Sequence, residues 1–107
     1  MRTTISVRHC EISEAVRARA ESVNQRLAHL SPHALDSTVV FDRSPEPEEC
    51  SVEIRLHVRG GQVLVGAGRG PDHRTALDRA EEKLRRQLER NTTQYQAKTR
   101  RSESRRP

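Results

Sequence analysis

Hydrophobic and polar residues alternate along parts of this chain with the period of a β-strand. Residues 3–9, 50–59 and 62–69 show this alternation, and residues 37–43 are rich in β-formers, so we predict four strands. The clearest strand points four aliphatic residues to one side: Val52, Ile54, Leu56 and Val58. We therefore expect a sheet with one buried face and one face in water.

Two other segments repeat apolar residues every three or four positions, which predicts amphipathic helices. The first helix follows Ser13, a good N-cap, and ends at Ser31-Pro32. Its apolar face consists of Val16, Ala20, Val23, Leu27 and Leu30. The second helix opens at Pro71-Asp72 and ends near Asn91. Its apolar face consists of Leu77, Ala80, Leu84 and Leu88.

Glycine and proline mark the connections between these elements. Gly60-Gly61 predicts a two-residue hairpin, and the composition of residues 44–49 predicts a loop. In the strand after the hairpin, we expect three side chains to point inward: Val63, Val65 and Ala67. Three glycines weaken the far end of that strand and permit the close approach of another backbone: Gly66, Gly68 and Gly70.

The order of these elements indicates an α+β fold, a β-α-β-β-β-α two-layer sandwich. The first helix connects two strands and is expected to join a parallel pair, and the other strands form an antiparallel meander. Both helices must then cover the one apolar face of a four-stranded sheet. We expect one folded domain over residues 1–92 and a basic, disordered tail over residues 93–107.

Charge points to an anionic partner. The chain carries a formal net charge of +5, which is typical of proteins that bind nucleic acid or an anionic membrane surface. Phe41 and Tyr95 are its only aromatic residues, so it cannot stack bases as single-strand binders do. If its partner is a nucleic acid, it should read the backbone and shape of a structured target. No segment resembles a signal core or a membrane span, and we expect a cytoplasmic protein.

The second helix separates its charges by sign. At about 100° per residue, four cations fall in one strip roughly 60° wide: Arg79, Lys83, Arg86 and Arg90. Three carboxylates fall in a second strip beside it: Asp78, Glu82 and Glu89. A cationic ridge on a rigid helix suits a phosphate backbone. The alternative is a solvated helix face whose acidic and basic side chains pair locally.

The residues for metal or covalent chemistry lack the spacing that such chemistry needs. His9, His57 and His73 with Cys10 and Cys50 contain no CxxC or HxxxH pair, so we expect buried thiols and no metal site. The glycine-rich segment before the second helix lacks the lysine of a phosphate-binding loop. No nucleophile with an adjacent base can be identified, and we expect neither an enzyme nor a cofactor.

Three segments in register resemble the ribosome hibernation promoting factors and ribosome-associated inhibitors of bacteria. They are Glu11–Arg17 after the first strand, Leu56–Gly61 at the central hairpin, and Asp72–Leu88 in the second helix. The resemblance covers about residues 2–92 without large gaps. The chain departs from the family pattern at Val23, where the family often has a basic residue. The chain resembles the short forms, which lack a second, dimerising domain.

The resemblance implies a fold similar to double-stranded RNA-binding domains and a role in stress or stationary phase. The protein would bind small-subunit rRNA in the channel used by mRNA and tRNA and would inhibit translation. Its partner is the small ribosomal subunit, with no membrane and no small-molecule substrate, and it would be a monomer away from the ribosome. Alignment of the motifs adds Arg8, Arg17 and Arg26 to the cationic strip as candidate rRNA contacts. We expect the cations of both helices to line one surface.

Two other function classes stay open from the sequence. One is a different binding module, either a generic binder of structured RNA or a domain that modulates a transcription factor. The other is a small hydrolase, which would need a concave pocket with converging polar groups.

Overall fold

The computed structural model describes the backbone of residues 1–104 and the side chains of residues 1–90. It contains β1 (Arg2–Val7), α1 (Glu14–Leu30), β2 (Ala34–Pro45), β3 (Glu48–Val58), β4 (Gln62–Gly70) and α2 (His73–Ser104). This order confirms the predicted β-α-β-β-β-α arrangement.

The four strands form one sheet in the order β1-β2-β3-β4, which leaves β1 and β4 at its edges. β1 pairs with β2 in parallel, as expected for two strands joined through a helix. β2, β3 and β4 form the predicted antiparallel meander. The Cα register places Ile5 beside Val39, Val39 beside Ile54 and Ile54 beside Gly66, so one row crosses the whole sheet.

Helix α1 starts where its N-cap predicts. The Ser13 hydroxyl oxygen accepts a hydrogen bond from the Val16 backbone N–H at 3.2 Å, which satisfies one free donor of the first turn. At the other end, the Ser31 N–H donates to the Leu27 carbonyl at 2.9 Å. Pro32 follows directly, and the helix does not continue.

The predicted loop at residues 44–49 is wrong. β2 continues to Pro45 and β3 starts at Glu48, so only Glu46 and Pro47 form the turn between them. Proline is tolerated here because residues beside a hairpin turn at the end of a ladder need few backbone donors. A side-chain pair between Arg43 and Glu48 connects the two strands next to the turn.

The core lies between the sheet and the two helices. Alternation on β3 is confirmed, since Val52, Ile54, Leu56 and Val58 are all buried. Phe41 is the largest fully buried side chain and lies in the same layer, from β2. The helices contribute Ala20, Val23 and Leu27 from α1, and Ala76, Leu77, Ala80, Leu84 and Leu88 from α2. The two helices therefore cover one sheet face, as predicted.

The inward face of β4 is the opposite of the predicted one. Val63 and Val65 are 46% and 39% exposed, whereas Leu64 and the three glycines face the helices. Three consecutive apolar residues open this strand, so alternation alone did not decide which face is buried. The packing of α2 decides it, because α2 leaves no room for side chains at Gly66 and Gly68.

Gly66 and Gly68 allow the backbone of α2 to rest directly on β4. A Cβ atom added at Gly66 would lie 2.5 Å from the Ala80 carbonyl oxygen, and one at Gly68 would lie 2.2 Å from the Ala76 carbonyl oxygen. Both contacts are far shorter than van der Waals distance and involve backbone atoms. The close approach permitted by these glycines is thus what positions α2 on the sheet.

Helix α2 is longer than predicted. Its backbone continues to Ser104, past the predicted end near Asn91 and through residues 93–104 of the predicted disordered tail. The sequence between His73 and Ser104 contains no proline or glycine, and it is rich in Ala, Arg, Glu, Gln and Lys, which favour helix. Residues 105–107 lie outside the described residues. The division of the chain at residue 92 stays a prediction.

We expect the Gly68→Ala substitution to lower the free energy of unfolding by about 2–3 kcal/mol, because the added methyl group forces α2 away from β4. Urea unfolding of the two proteins measures this difference. Ala67→Val is the matched control, since it adds a larger group to the neighbouring exposed position. Equal stability of Gly68→Ala and the wild type would contradict the packing described for α2.

The start of α2 has a predictable pH dependence. Asp72 accepts hydrogen bonds from the Thr75 N–H at 2.7 Å and the Thr75 hydroxyl at 3.1 Å, and these bonds hold the pKa of Asp72 below its ordinary value of 3.8. The ionised Asp72 carboxylate therefore stabilises the fold at pH values above its ordinary pKa. This stabilisation is lost as the pH falls through the lower pKa of the native state.

Asp72→Asn keeps the capping oxygen but removes the charge. We expect wild type to melt at a higher temperature than the variant at about pH 7, and this advantage to shrink at about pH 3. Glu21→Gln, on an exposed part of α1, should show no such pH-dependent difference. A constant difference between wild type and Asp72→Asn at both pH values would refute the assignment.

Candidate RNA-binding surface

The four cations of the predicted strip lie on the flank of α2 that is turned away from α1. Asp78 and Glu81 contact α1, which fixes the inner side of α2. At about 100° per residue, the centre of the strip lies roughly 140° around the helix axis from those two carboxylates. All four cations are exposed: Arg79, Lys83, Arg86 and Arg90. We call this row the outer flank of α2.

Two side chains attach the outer flank to the edge strand β4. The Arg79 guanidinium donates to the Arg69 carbonyl at 2.6 Å, and the Gln87 amide donates to the Val65 carbonyl at 2.5 Å. These carbonyls belong to a strand at the edge of the sheet, where backbone acceptors lack a neighbouring strand. The bonds therefore cover part of the edge and hold the row above it.

Apart from Arg79, the cations of the outer flank have few partners among the residues whose side chains are described. Arg86 donates to Glu82 at 2.7 Å, but both side chains are more than 60% exposed, and such surface pairs contribute at most about 1 kcal/mol. Among the described side chains and their backbone, Arg90 makes one long contact, at 3.5 Å, with the Arg86 carbonyl. Lys83 has no ion pair or hydrogen bond with any residue whose side chain is described. Lys83, Arg86 and Arg90 can therefore turn to an external anion at little cost.

The seam between the helices is different. Arg19 donates to both carboxylate oxygens of Asp78 at 2.8 and 3.1 Å, and Arg26 donates to both oxygens of Glu81 at 2.9 and 3.1 Å. Hydrogen bonding to the carboxylates raises the pKa of Arg19 and of Arg26. The more N-terminal arginine pairs with the more N-terminal carboxylate, so the two helices run parallel. We call these four residues the interhelical clamp.

The remaining predicted contacts lie on separate surfaces. Arg26 belongs to the clamp, and Arg17 lies about 180° around α1 from it, on the flank away from α2. Arg8 follows β1, with its backbone N–H bonded to the Phe41 carbonyl at 2.8 Å. The single surface expected from cations of both helices is therefore not present, because the clamp neutralises the seam. Only the outer flank of α2 brings several candidates together.

Arg8 lies with Arg69 beside a shallow depression on the open face of the sheet. Three carboxylates share its lining: Asp42, Glu49 and Glu53. The Arg43 backbone N–H and the His9 side chain hydrogen-bond Asp42 and lower its pKa, so this carboxylate stays charged in neutral solution. The depression is thus mixed in charge, unlike the outer flank.

A comparison with known families matches residues 3–96 to the family described as "Sigma 54 modulation protein / S30EA ribosomal protein". The chain belongs to this family. That result confirms the resemblance to ribosome hibernation factors found in the sequence. No curated protein matches the chain significantly.

Solved structures resemble this family member over most of its length. The N-terminal domain of Thermus thermophilus Protein Y is 25% identical, with a TM-score of 0.71, and the match covers 84% of this chain and 98% of that domain. A ribosomal subunit interface protein from Coxiella burnetii is 15% identical, with a TM-score of 0.70, and covers 87% and 99% of the two chains. The second likeness shows the shared fold.

The cysteines of this family member lie near the start of α2. Cys10 Sγ lies 3.6 Å from His73 Nε2, which also lies 3.1 Å from the Asp42 carbonyl, and Cys50 Sγ lies 3.9 Å from the Pro71 carbonyl. Burial, followed by the charge of Asp42, raises the pKa of the Cys10 thiol, so it is neutral at physiological pH. No cluster of metal-ligating side chains occurs among the described residues.

Neither described helix combines the length and apolar character needed to span a bilayer. This result covers the part of the chain that the structure describes.

Sequence reasoning missed Arg19 and Glu81. A signal for them exists, because Arg19 and Arg26 are seven residues apart and share one side of α1, while Asp78 and Glu81 share one side of α2. Two cations on one side of a helix and two carboxylates on one side of another are a signal for a salt-bridged seam. Only the fold shows that these two sides face each other.

The clamp makes a testable contribution to stability. The Glu81 side chain is only 11% exposed, so Arg26→Gln leaves an almost buried carboxylate without its charged partner. We expect a loss of about 1–3 kcal/mol in the free energy of unfolding. The double variant Arg26→Gln/Glu81→Gln should recover at least half of that loss. Arg86→Gln, which breaks an exposed pair, should change stability by less than about 0.5 kcal/mol.

Proposed function

We propose that this protein binds small-subunit rRNA in the channel used by mRNA and tRNA, and that it thereby holds ribosomes inactive under stress or in stationary phase. The observation that carries the proposal is the exposed cationic outer flank of α2 in a member of this family. The name of the Coxiella relative, a ribosomal subunit interface protein, supports the same partner.

The outer flank has dimensions that suit a phosphate backbone. From Arg79 to Arg90 the helix rises about 16 Å, and successive cations lie about one turn, or 5.4 Å, apart. The two bonds from Arg79 and Gln87 to β4 keep the row straight above the sheet edge. An RNA strand running along this edge would meet a fixed series of positive charges.

The described surface offers no aromatic platform for bases. Phe41 is fully buried, with its ring 5.7 Å from the His73 ring in an edge arrangement. Recognition would therefore depend on phosphates and on RNA shape, which are independent of base identity. Such sequence-tolerant binding suits a factor that occupies a structured site and leaves it again.

Arg17 and Arg8 are proposed as separate, second contacts. Arg17 lies on the far flank of α1 and Arg8 on the open sheet face, so no flat target could reach both together with the outer flank. A channel that surrounds the domain could contact all three surfaces at once. The dispersed positions of these cations thus favour an enclosing target over an isolated duplex.

The salt dependence of binding tests the outer flank. Arg86→Gln should reduce the slope of log affinity against log salt by about 0.7–0.9, because one phosphate contact is lost. Arg85→Gln is the matched control, since it removes the same charge from the neighbouring exposed position on another side of α2. Binding to purified small subunits is measured across a salt series. Equal slopes for the two variants would show that the outer flank is not the contact.

A sedimentation experiment tests the function itself. Charge reversal of Lys83, Arg86 and Arg90 to Glu should release the folded protein from small subunits in a stationary-phase lysate. Wild type should prefer vacant ribosomes to a short RNA duplex. Equal affinity for both would favour a generic RNA-binding module, and binding to a transcription factor without ribosomes would favour the modulator hypothesis.

A further inference from the structure

The interhelical clamp places two arginines where a basic surface was expected, yet it leaves them without free charge. Both Arg19 and Arg26 use two guanidinium nitrogens to bind two carboxylate oxygens. Such fork-to-fork pairing is the strongest arrangement available to arginine and carboxylate. Each pair connects α1 to α2, and none lies within one helix.

We infer that Arg26, together with Arg19, is a positioning residue that orients α2 and neutralises its inner carboxylates, and that it does not contact RNA itself. The inference rests on the proposed RNA-binding function. It assigns to Arg26 a different role from the phosphate contact that alignment of the family motifs implies.

The exposure of the partners separates Arg26 from the cations of the outer flank. A phosphate that recruited Arg26 would leave Glu81 unpaired, with its side chain only 11% exposed. A phosphate that recruited Arg86 would release Glu82, whose side chain is 63% exposed and can be hydrated. An unpaired carboxylate is far more costly in the first position. RNA should therefore take Arg86 and leave Arg26 in place.

The clamp also changes the field that RNA meets. Without Arg19 and Arg26, α2 would carry Asp78 and Glu81 as uncompensated negative charges one helix diameter from the outer flank. With both pairs formed, those charges cancel within the seam, and the outer flank keeps its positive potential. Arg19 and Arg26 thus preserve the positive potential of the outer flank without lying on it.

The clamp and the β4 contacts hold α2 from opposite sides. Arg19 and Arg26 fix its inner side, while Arg79 and Gln87 fix its outer side to the Arg69 and Val65 carbonyls. A rotation of α2 about its axis would break bonds on both sides. Four side chains therefore reinforce the direction that core packing gives the outer flank, and two of them belong to the clamp.

A rescue experiment distinguishes positioning from contact. Three variants are compared with wild type for affinity to purified small subunits and for the salt slope: Arg26→Gln, Arg26→Gln/Glu81→Gln and Arg26→Gln/Glu21→Gln. We expect Arg26→Gln to weaken binding about two- to fivefold, because Glu81 is no longer neutralised. The Glu81 double variant should return to within about twofold of wild type with an unchanged salt slope.

The Glu21 variant controls for net charge. Glu21 is an exposed residue of α1 outside the clamp, so Glu21→Gln restores the overall charge without restoring neutrality in the seam. We expect it to rescue binding poorly. Equal rescue by Glu21→Gln and Glu81→Gln would overturn the inference in favour of a simple charge effect.

A direct RNA contact gives a different result. Arg26→Gln would then reduce the salt slope by about 0.7–0.9, and Glu81→Gln would restore neither slope nor affinity. That outcome overturns the positioning role while leaving the proposed function intact. Failure of wild type to bind small subunits would instead overturn the proposed function, and this inference with it. Arg19→Gln with and without Asp78→Asn repeats the test at the half-buried second pair, should Arg26→Gln fail to fold.

Discussion

The backbone contact between α2 and β4 is the constraint on which the rest of this structure depends. Gly66 and Gly68 remove the side chains that would otherwise separate helix from sheet, and α2 settles until its carbonyls touch the strand. At this distance, Leu84 and Leu77 reach the core from above while β3 fills it from below. The distance between α2 and the sheet is thus set by the absence of side chains at Gly66 and Gly68 of β4.

The same contact divides the charges of α2 between two environments. One side of the helix meets α1, where each acidic residue finds an arginine fork, and the other side overhangs the sheet edge, where cations have weak partners or none among the described side chains. A helix placed higher on the sheet would let both sets of charges mix with solvent. Packing and electrostatics are therefore not independent here, because the first determines the geometry of the second.

Sequence reasoning predicted the elements well where one period dominated. The alternation of β3 and the serine cap of α1 were sufficient, because each depends on local spacing alone. The prediction of the buried face of β4 was wrong because Val63, Leu64 and Val65 are apolar on both faces. Only the packing of α2 selects one face. The hairpin at Glu46-Pro47 was missed because the composition of residues 44–49 predicted a loop. The pairing of Arg43 with Glu48 depends on the tertiary arrangement of two strands.

The cationic strip of α2 followed from the periodicity of a single helix, and the structure places it on one exposed side. The seam did not follow, because the partners of Arg19 and Arg26 lie more than fifty residues away in the chain. Side chains can be assigned to a helix face from spacing, but the identity of the facing residue requires the tertiary arrangement. This is why the expectation for Arg26 changed most.

The glycine contact has a consequence for how far related sequences can diverge. At Gly66 and Gly68 only hydrogen fits, whereas the four exposed positions of the outer flank have room for other side chains. Substitutions at these two glycines should therefore displace the helix, whereas substitutions at Lys83, Arg86 or Arg90 should change its charge and leave its pose intact.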